Sequence, residues 1–379
     1  MSRTNREEIN AILNYKPFER VPVMHFGFWS ETLEKWAKEG HVSLAEAKDG
    51  AFDGSENNRI VSRRLGFDDN FFVCAGLIGD WYKYPLYPAF ETKIIEDCGD
   101  DGRKKLDEEG VIVLQKDGAT SIPSEIDHTL KDLESWTKFY LPKLKVDETR
   151  FDMKKLNEMT KDNETRETHT GVYCGSLYGK IRNYLGIVEI SYLMVDDPDF
   201  LTMCIDSIAE ACYEQTKIVL ESGVKLDFGH FWEDICYKTG PLVSPQFFRE
   251  KVGKHYRKIS DLCEKHGINI MSVDCDGFVE DLVPIWLDNG INTMFPIEVG
   301  TWNYDFRTMR EKFGKTLRGV GNMNKNVFSQ DKKAVDNEIY RLQKLVDLGG
   351  FLPCPDHRIA PDSEWDLVKY YCDRMRKAF

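Results

Sequence analysis

Four short polar clusters between residues 274 and 358 carry most of the side chains that could do chemistry, and each follows an apolar run. Apolar runs that alternate with helical patterns predict a parallel sheet, so each cluster is expected where a strand ends. Polar residues at the ends of successive parallel strands are typical of the active-site face of a barrel, which predicts an enzyme. The clusters are Asp274-Cys275-Asp276-Gly277, Pro296-Ile297-Glu298, Asn322-Met323-Asn324-Lys325 and Asp356-His357-Arg358.

The densest cluster places two carboxylates, Asp274 and Asp276, on alternate residues of a strand exit. Alternate residues of an extended chain point the same way, so both side chains are expected to face one cavity. Two carboxylates this close would share a proton or a cation. Cys275 between them would point into the surrounding layer unless the strand is bulged. The structural alternative is an Asx turn that ends at Gly277.

Three further residues are candidates for acid–base or metal chemistry. His357 could serve as a zinc ligand or a general base, since a neutral imidazole suits both roles. Glu233 follows the aromatic run Phe228–Trp232, where burial would raise the pKa of its carboxyl and favour a general acid, and Glu298 follows a similar apolar run. The structural alternatives are a hydrogen bond from His357 to Asp356, and a glutamate facing the positive end of a helix dipole.

Six residues are candidates for substrate binding at the same face. The aromatic side chains and His25 would shape the mouth of the site, while Tyr178 and Arg182 could together hold an anionic or phenolic group. The structural alternatives are a packed histidine at position 25 and a surface lysine at position 325. The six residues are His25, Trp29, Tyr178, Arg182, Trp232 and Lys325.

The elements that must position these residues alternate between strand and helix. Eight candidate strands, VPVMHF, FFVCAG, GVYCGS, KLDFGH, INIMSV, INTMF, LRGVG and GFLPC, predict a fold of the α/β class, the (β/α)8 TIM barrel. A helix with Thr4 as N-cap and Glu7 three residues later is predicted over 4–16. A β-hairpin within 81–130 begins an insertion that extends to about residue 167. Residues 1–379 are predicted to form one domain, whose rim would also carry Asp80.

The composition argues against several functions. The 379 residues carry a formal net charge of -13, which disfavours nucleic-acid binding because phosphate recognition needs a basic face. No apolar run reaches the roughly 18 residues of a membrane span, and the N-terminus lacks an apolar signal region. The ten cysteines are scattered without a CxxC pair, as expected of buried free thiols. We therefore expect a cytoplasmic protein without nucleic-acid or membrane partners, and a homodimer is compatible with this expectation.

Five segments resemble the uroporphyrinogen decarboxylase superfamily, and the resemblance covers nearly the whole chain. They are PFERVPV, WEDICYKTGPLVSPQFFRE, SVDCDGFVEDLVP, NGINTMFPIEV and GGFLPCPDHRIAPD. The resemblance implies a TIM barrel with its active site at the C-terminal mouth. The superfamily contains cofactor-free decarboxylases of tetrapyrrole synthesis and corrinoid-linked, zinc-dependent methyltransferases.

The segment after the first predicted helix separates these two groups. The decarboxylase needs arginines near the first strand to hold a polycarboxylate, whereas the segment that follows Arg20 reads VPVMHFGFWSE and contains none. An acidic, aromatic mouth also suits a polycarboxylate badly on Coulomb grounds. The resemblance therefore favours the methyltransferase group.

The resemblance also implies a metal site with an altered ligand set. The methyltransferases usually show a His-x-Cys pair at the fifth strand exit and a later cysteine at the last strand. This chain has Asp274-Cys275-Asp276 and Asp356-His357 at those places. The candidate zinc ligands are Asp274, Cys275, Asp276, Glu298 and His357, and the candidate catalytic residues are Glu233, Asp276, Glu298 and His357.

The resulting prediction is a methyltransferase of the O-demethylase type from anaerobic metabolism. It would move a methyl group between a small methylated substrate, such as a methoxylated aromatic, and a corrinoid. The chain lacks an Asp-x-His-x-x-Gly segment, so a partner protein is expected to carry the corrinoid. One alternative is a cofactor-free decarboxylase of a small or tetrapyrrole carboxylic acid, with Asp276 stabilising a protonated intermediate. Another is a non-catalytic protein that delivers or senses a corrinoid or aromatic ligand.

Overall fold

The computed structural model describes residues 3–78, 84–116 and 123–379, and these ranges contain fifteen strands. The strands are β1 (Met24–His25), β2 (Asp69–Asn70), β3 (Cys74–Ala75), β4 (Lys93–Asp97), β5 (Arg103–Leu106), β6 (Val111–Gln115), β7 (Ser124–His128), β8 (Gly171–Gly175), β9 (Phe228–Trp232), β10 (Cys236–Tyr237), β11 (Gly240–Pro241), β12 (Met271–Asp274), β13 (Thr293–Ile297), β14 (Arg318–Met323) and β15 (Phe351–Pro355).

Helices join and cover these strands. They are α1 (Asn5–Leu13), α2 (Ser30–Lys38), α3 (Leu44–Gly50), α4 (Glu56–Leu65), α5 (Leu133–Ser135), α6 (Met153–Lys161), α7 (Gly179–Leu185), α8 (Ile187–Asp196), α9 (Pro198–Glu221), α10 (Pro245–Phe247), α11 (Gly253–Lys265), α12 (Val283–Asp288), α13 (Val299–Trp302), α14 (Phe306–Phe313), α15 (Lys332–Val346) and α16 (Trp365–Ala378). Among the described residues, no helix is both long enough and apolar enough to cross a bilayer.

Seven strands form one curled parallel sheet in the order β3-β8-β9-β12-β13-β14-β15, and β1 pairs in parallel with β2. The ring closes where a bridge joins Phe28 to Ile359, with the Ile359 N–H donating to the Gly27 carbonyl at 3.1 Å. The second strand position is divided, because β2 pairs with β1 while β3 pairs with β8. The arrangement is TIM-barrel-like and confirms the predicted fold class.

The barrel interior explains why these segments form strands. All five residues of β8, β9, β13 and β15 are buried, as expected of parallel strands covered on both faces. Phe71 lies 4.9 Å from Phe228 and 5.2 Å from Phe295 between ring centroids, so aromatic rings fill the core of the barrel. Burying one such ring contributes roughly 2–3 kcal/mol.

Helix α1 covers the end of the barrel opposite the candidate site. Thr4 caps the helix, and Thr4 and Glu7 bond to each other's backbone N–H groups at 3.2 and 2.8 Å, as the sequence predicts. Arg6 then donates to Asp227 at 2.7 Å, just before β9 begins. These contacts fix the N-terminal segment against the amino ends of the central strands.

The insertion is wider than the predicted hairpin. It forms a four-stranded antiparallel sheet, β4-β5-β6-β7, which has two strands more than a hairpin. Lys104 of β5 pairs with Glu96 of β4, which stabilises a strand that lacks an apolar pattern. Glu109 bonds to Lys180 and, at 3.0 Å, to Asn183, so the insertion is fixed to α7 of the barrel.

Candidate active site

A cavity of about 700 Å³ opens at the carboxyl ends of the barrel strands. Its floor carries acidic residues that follow β9 and β12, and its wall carries His357 and Arg358, which follow β15. The loop between α3 and α4, the segment after β3 and the first turns of α4 and α6 also contribute to the lining. This volume lies within the range of small-molecule binding sites.

Three carboxylates, which we call the aspartate triad, meet on the floor of this cavity. Asp234, Asp274 and Asp276 each offer an oxygen, and these oxygens lie within 4.8 Å of one another. Asp234 has a positive φ of 48°, and its Oδ1 accepts the backbone N–H of Asp276 at 3.0 Å. The exits of two neighbouring strands therefore converge on one point.

Burial raises the pKa of every member of the aspartate triad. The Asp274 carboxyl has a pKa well above its ordinary value because of burial first and repulsion from Asp234 and Asp276 second. Burial and the charge of Asp276 raise the pKa of Asp234 to about 7, and burial raises that of Asp276 to about 6. The triad therefore favours either retained protons or a bound cation at neutral pH.

One oxygen of the triad lacks a hydrogen bond. Asp276 Oδ1 is buried, and no donor in the described part of the chain reaches it. Buried carboxylate oxygens normally accept a hydrogen bond or bind a metal, so an Oδ1 atom without a donor is compatible with a bound cation. Three carboxylates suit a hard divalent cation, and zinc also accepts oxygen and imidazole ligands.

His357 lies beside the triad as a neutral imidazole. Its Nε2 is 3.3 Å from Asp276 Oδ2, and its ring stacks on Trp29 with centroids 5.5 Å apart. Burial, and then the charge of Lys325, lowers the pKa of His357 to about 4. His357 is therefore uncharged near pH 7 and suited to act as a ligand or proton acceptor.

Glu298 and Lys325 lie behind the cavity wall. Glu298 Oε2 accepts the Gly277 N–H at 3.0 Å and bonds to Trp302, so it supports the turn that carries Asp276. Burial, and then the charge of Asp276, raises the pKa of the Glu298 carboxyl. Lys325 Nζ is 3.8 Å from Asp356 Oδ1. Neither Glu298 nor Lys325 lines the 700 Å³ cavity.

Cys275 faces away from the triad, although its neighbours on both sides belong to it. Its buried Sγ accepts the Ile235 N–H at 3.4 Å, and burial raises the pKa of its thiol. The residue does not line the cavity. The strand is not bulged at this point, so alternation turns sulfur outward where it turns Asp274 and Asp276 inward.

Glu233 lies under a helix rather than in the cavity. Its buried carboxylate accepts the N–H groups of Leu177, Tyr178 and Gly179 at 2.8, 3.0 and 2.6 Å and bonds to Tyr256. These are the donors at the N-terminus of α7, so the side chain caps that helix. This placement matches the helix-dipole alternative given above for Glu233.

The six candidate substrate-binding residues divide into two groups by position. Trp29 and Trp232 line the cavity, whereas His25, Tyr178, Arg182 and Lys325 do not. His25 is buried, with Nδ1 accepting the Gly27 N–H at 2.9 Å and Nε2 within 2.8 Å of Ser62 Oγ. Burial lowers the pKa of His25 to about 3, which agrees with a packed histidine.

Tyr178 and Arg182 belong to the shell around α7. Tyr178 is buried against Phe248, with ring centroids 6.2 Å apart, and Arg182 Nη2 donates to Asn183 at 2.8 Å. Asp80, expected at the rim, lies outside the described residues.

Three residues outside the predicted catalytic, substrate-binding and metal sets also line the cavity: Asp53, Asp234 and Arg358. Asp234 lines the cavity, as does Trp232 two residues earlier. Because alternate residues of an extended chain face the same side, this spacing could have favoured Asp234 over Glu233. Arg358 forms an ion pair with Asp53, and its guanidinium lies 5.6 and 5.8 Å from the rings of Phe26 and Phe72. No local pattern in the sequence indicates a pair whose members are 305 positions apart.

Comparison with known proteins shows the fold. No family model matches the chain, and no curated protein matches it in sequence. A methyltransferase from Methanosarcina mazei superposes with a TM-score of 0.62 at 16% sequence identity, covering 99% of each chain. A putative vitamin-B12-independent methionine synthase from Listeria monocytogenes gives a TM-score of only 0.35 at 11% identity, covering 59% of this chain and 68% of that one. The chain therefore shares its fold, over its whole length, with a methyltransferase.

Proposed function

We propose that this protein is a methyltransferase that moves a methyl group from a small methylated substrate to a corrinoid carried by a partner protein. The observation that carries the proposal is the aspartate triad, with its unpaired buried oxygen, on the floor of a cavity of about 700 Å³. The full-length fold similarity to the Methanosarcina mazei methyltransferase supports the reaction class. The resemblance of the sequence to corrinoid-linked methyltransferases supports the methyl acceptor.

The residues that would hold a divalent cation are the three aspartates, with His357 as the nearest nitrogen donor. A cation bound there would act as a Lewis acid on the oxygen that the methyl group leaves. Zinc is compatible with these donors, as are harder cations, because they are oxygen and imidazole groups without thiolate. The outward side chain of Cys275 offers no sulfur to this set.

The side chains of the cavity would perform the remaining tasks. Trp29, Phe26 and Phe72 form an aromatic wall that can bind a planar ring and exclude water from the triad. In the cation-free protein, burial and the charge of Asp276 raise the pKa of Asp234 to about 7. A bound cation would keep its carboxylate ligands deprotonated, so the proton for the leaving oxygen would come from solvent at the open side of the cavity.

In the proposed reaction the methyl C–O bond would break, the reduced corrinoid of the partner protein would accept the methyl group, and the leaving oxygen would take a proton. This chain contains no cobalamin-binding Asp-x-His-x-x-Gly segment. The corrinoid would therefore approach the open side of the cavity on another protein.

The test is a methyl-transfer assay with cob(I)alamin and a panel of methoxylated aromatic compounds. Chelator-treated protein is compared with protein that has been given zinc, manganese or magnesium. We expect methylcobalamin to form only with a cation present, and we expect Asp276→Asn to lower the rate at least ~100-fold. Asp362→Asn, at an exposed position after β15 that does not line the cavity, is the control.

Two results would contradict the proposal. Release of carbon dioxide from a carboxylic acid substrate, without corrinoid or cation, would select the cofactor-free decarboxylase. Absence of any turnover, with binding of the aromatic compounds unchanged in Asp276→Ala and His357→Ala, would select a non-catalytic binding protein.

A further inference from the structure

Helix α8 carries an apolar stripe on the face that points away from the barrel. Val188, Tyr192 and Val195 are 65%, 61% and 80% exposed, and their spacing places them on one side of the helix. Ile190 and Leu193 are buried on the opposite side. Apolar residues on both faces are typical of a helix that is covered on both sides. In the part of the chain that the structure describes, nothing covers the outer face of α8.

The stripe is bordered by acids. Glu189 and Asp196 each follow a residue of the stripe by one position, so both lie along the same edge of it. Both acids are exposed, and within residues 3–78, 84–116 and 123–379 neither carboxylate makes a hydrogen bond or an ion pair. The sequence from Asn183 to Thr216 contains no lysine or arginine. The outer face of α8 is therefore apolar along its centre and anionic along one edge.

Helix α8 lies at the same end of the barrel as the cavity. It follows α7, whose first N–H groups bond to Glu233 at the exit of β9. The next helix, α9, has 24 residues and spans about 36 Å. The far end of α9 lies beside α1, because Asn163 Nδ2 donates to the Gly223 carbonyl at 3.0 Å and the Asn163 carbonyl accepts from Arg6 of α1 at 2.7 Å. Since α1 covers the opposite end of the barrel, the start of α9 and the preceding α8 lie on the cavity side.

We propose that the outer face of α8 is a docking surface for a partner protein that presents a cationic amphipathic helix. The apolar side chains of such a helix would cover Val188, Tyr192 and Val195. Its lysines or arginines would pair with Glu189 and Asp196 along the edge of the stripe.

A second copy of this chain fits the surface less well than a cationic partner. An antiparallel pair of α8 helices would bring the same two acids, Glu189 and Asp196, to the same edge of the interface, where like charges repel. The assignment rests on this surface alone, so it stands whether or not the chain transfers methyl groups.

The experiment measures the fluorescence anisotropy of a labelled helical peptide of leucine and lysine at physiological ionic strength. A scrambled peptide of the same composition, which forms no apolar face, is the matched probe and should bind at least ~10-fold more weakly. Val188→Ser, Tyr192→Ser and Val195→Ser should each weaken binding of the amphipathic peptide roughly 3- to 10-fold, because each removes apolar area from the contact. Asp196→Asn should weaken it roughly 2- to 5-fold.

Two substitutions on other surfaces serve as controls. Tyr340→Ser on α15 removes a tyrosine that is 61% exposed, the same fraction as Tyr192, and Asp362→Asn removes an exposed carboxylate after β15. Neither should change binding of the amphipathic peptide.

Three results would overturn the proposal. The first is equal binding of the amphipathic and scrambled peptides to the unmodified protein, which would show attraction by net charge alone. The second is binding that survives in the triple variant Val188→Ser/Tyr192→Ser/Val195→Ser. The third is a dimer of the unmodified protein, measured by sedimentation equilibrium, that dissociates in the triple variant, because a second copy would then cover this face.

Discussion

Replacing Asp234 with asparagine should stabilise the cation-free protein at alkaline pH. The substitution keeps the shape of the side chain but removes one of three converging negative charges. Burial and the charge of Asp276 raise the pKa of Asp234 to about 7 in the folded protein. An unfolded chain holds an aspartate near its ordinary pKa of roughly 3.9, so ionisation favours unfolding.

The magnitude and the sign follow from the two pKa values. The difference between about 7 and roughly 3.9 corresponds to about 4 kcal/mol above pH 7, and contact with the cavity solvent reduces it to about 2 kcal/mol. The penalty is absent below pH ~4, where both states are protonated, and develops as the pH rises to ~7. For 379 residues, about 2 kcal/mol corresponds to a rise of roughly 3 °C in the unfolding midpoint.

A divalent cation should reverse the order of stability. It binds the intact aspartate triad more tightly than the variant, and at 100 times its Kd it stabilises the folded state by about 2.7 kcal/mol. Thermal unfolding is therefore followed at pH 4, 6 and 8, with chelator or with millimolar zinc or manganese. Asp362→Asn, at an exposed position, is the control that should change neither the midpoint nor its pH dependence.

Two results would refute this reasoning. The first is a chelator-treated Asp234→Asn variant that unfolds at or below the wild-type temperature at pH 8. The second is a wild-type midpoint that no divalent cation raises, which would show that protons alone neutralise the triad.

Three further outcomes are expected. Glu233→Ala should destabilise the protein by about 3–5 kcal/mol in urea denaturation, because it leaves the buried N–H donors at the start of α7 without an acceptor. Glu233→Gln keeps an acceptor and should destabilise the protein less, so equal losses of stability in the two variants would contradict a capping role. Gly27→Ala should cost about 1–3 kcal/mol, since φ is +86° and a Cβ would lie 2.5 Å from Arg358 Nη1; a neutral effect in the same assay would exclude this close packing. His357 should show no NMR titration between pH 5.5 and 8, because burial lowers its pKa to about 4, and a midpoint near 6.5 would show a solvated imidazole.

The sequence predicted the barrel because its evidence is periodic and local. Apolar runs such as INIMSV and GGFLPC coincide with strands β12 and β15, and the capping box at Thr4 starts α1 as expected. The strands of the insertion were harder to predict from sequence, because β5 is polar and is stabilised by pairing with β4 and β6. The sequence of a single segment does not reveal such pairing. A pattern can indicate an element, but it does not show which strands become neighbours.

Alternation along one strand was enough to predict which side chains face the cavity. Asp274 and Asp276 both face the cavity, and Cys275 faces away, as parity requires. The pairing of Arg358 with Asp53 depends on two distant loops, so no local signal preceded it. Glu233 was assigned to the site but lies outside the cavity, whereas Asp234 lines it, as alternation from Trp232 indicates.

The divided second strand leaves few paired residues between neighbouring strands beside the entrance to the cavity. Only two residue pairs join β1 to β2 and only two join β3 to β8, whereas five join β14 to β15. Local opening needs the least free energy where the fewest backbone hydrogen bonds must break, so amide exchange should be fastest along this seam. The loop that carries Asp53 and the segment that follows β3 both contact this seam. Local opening of the barrel is therefore expected there first. Such a seam would let a ligand enter without disturbing the rigid strands that hold the triad.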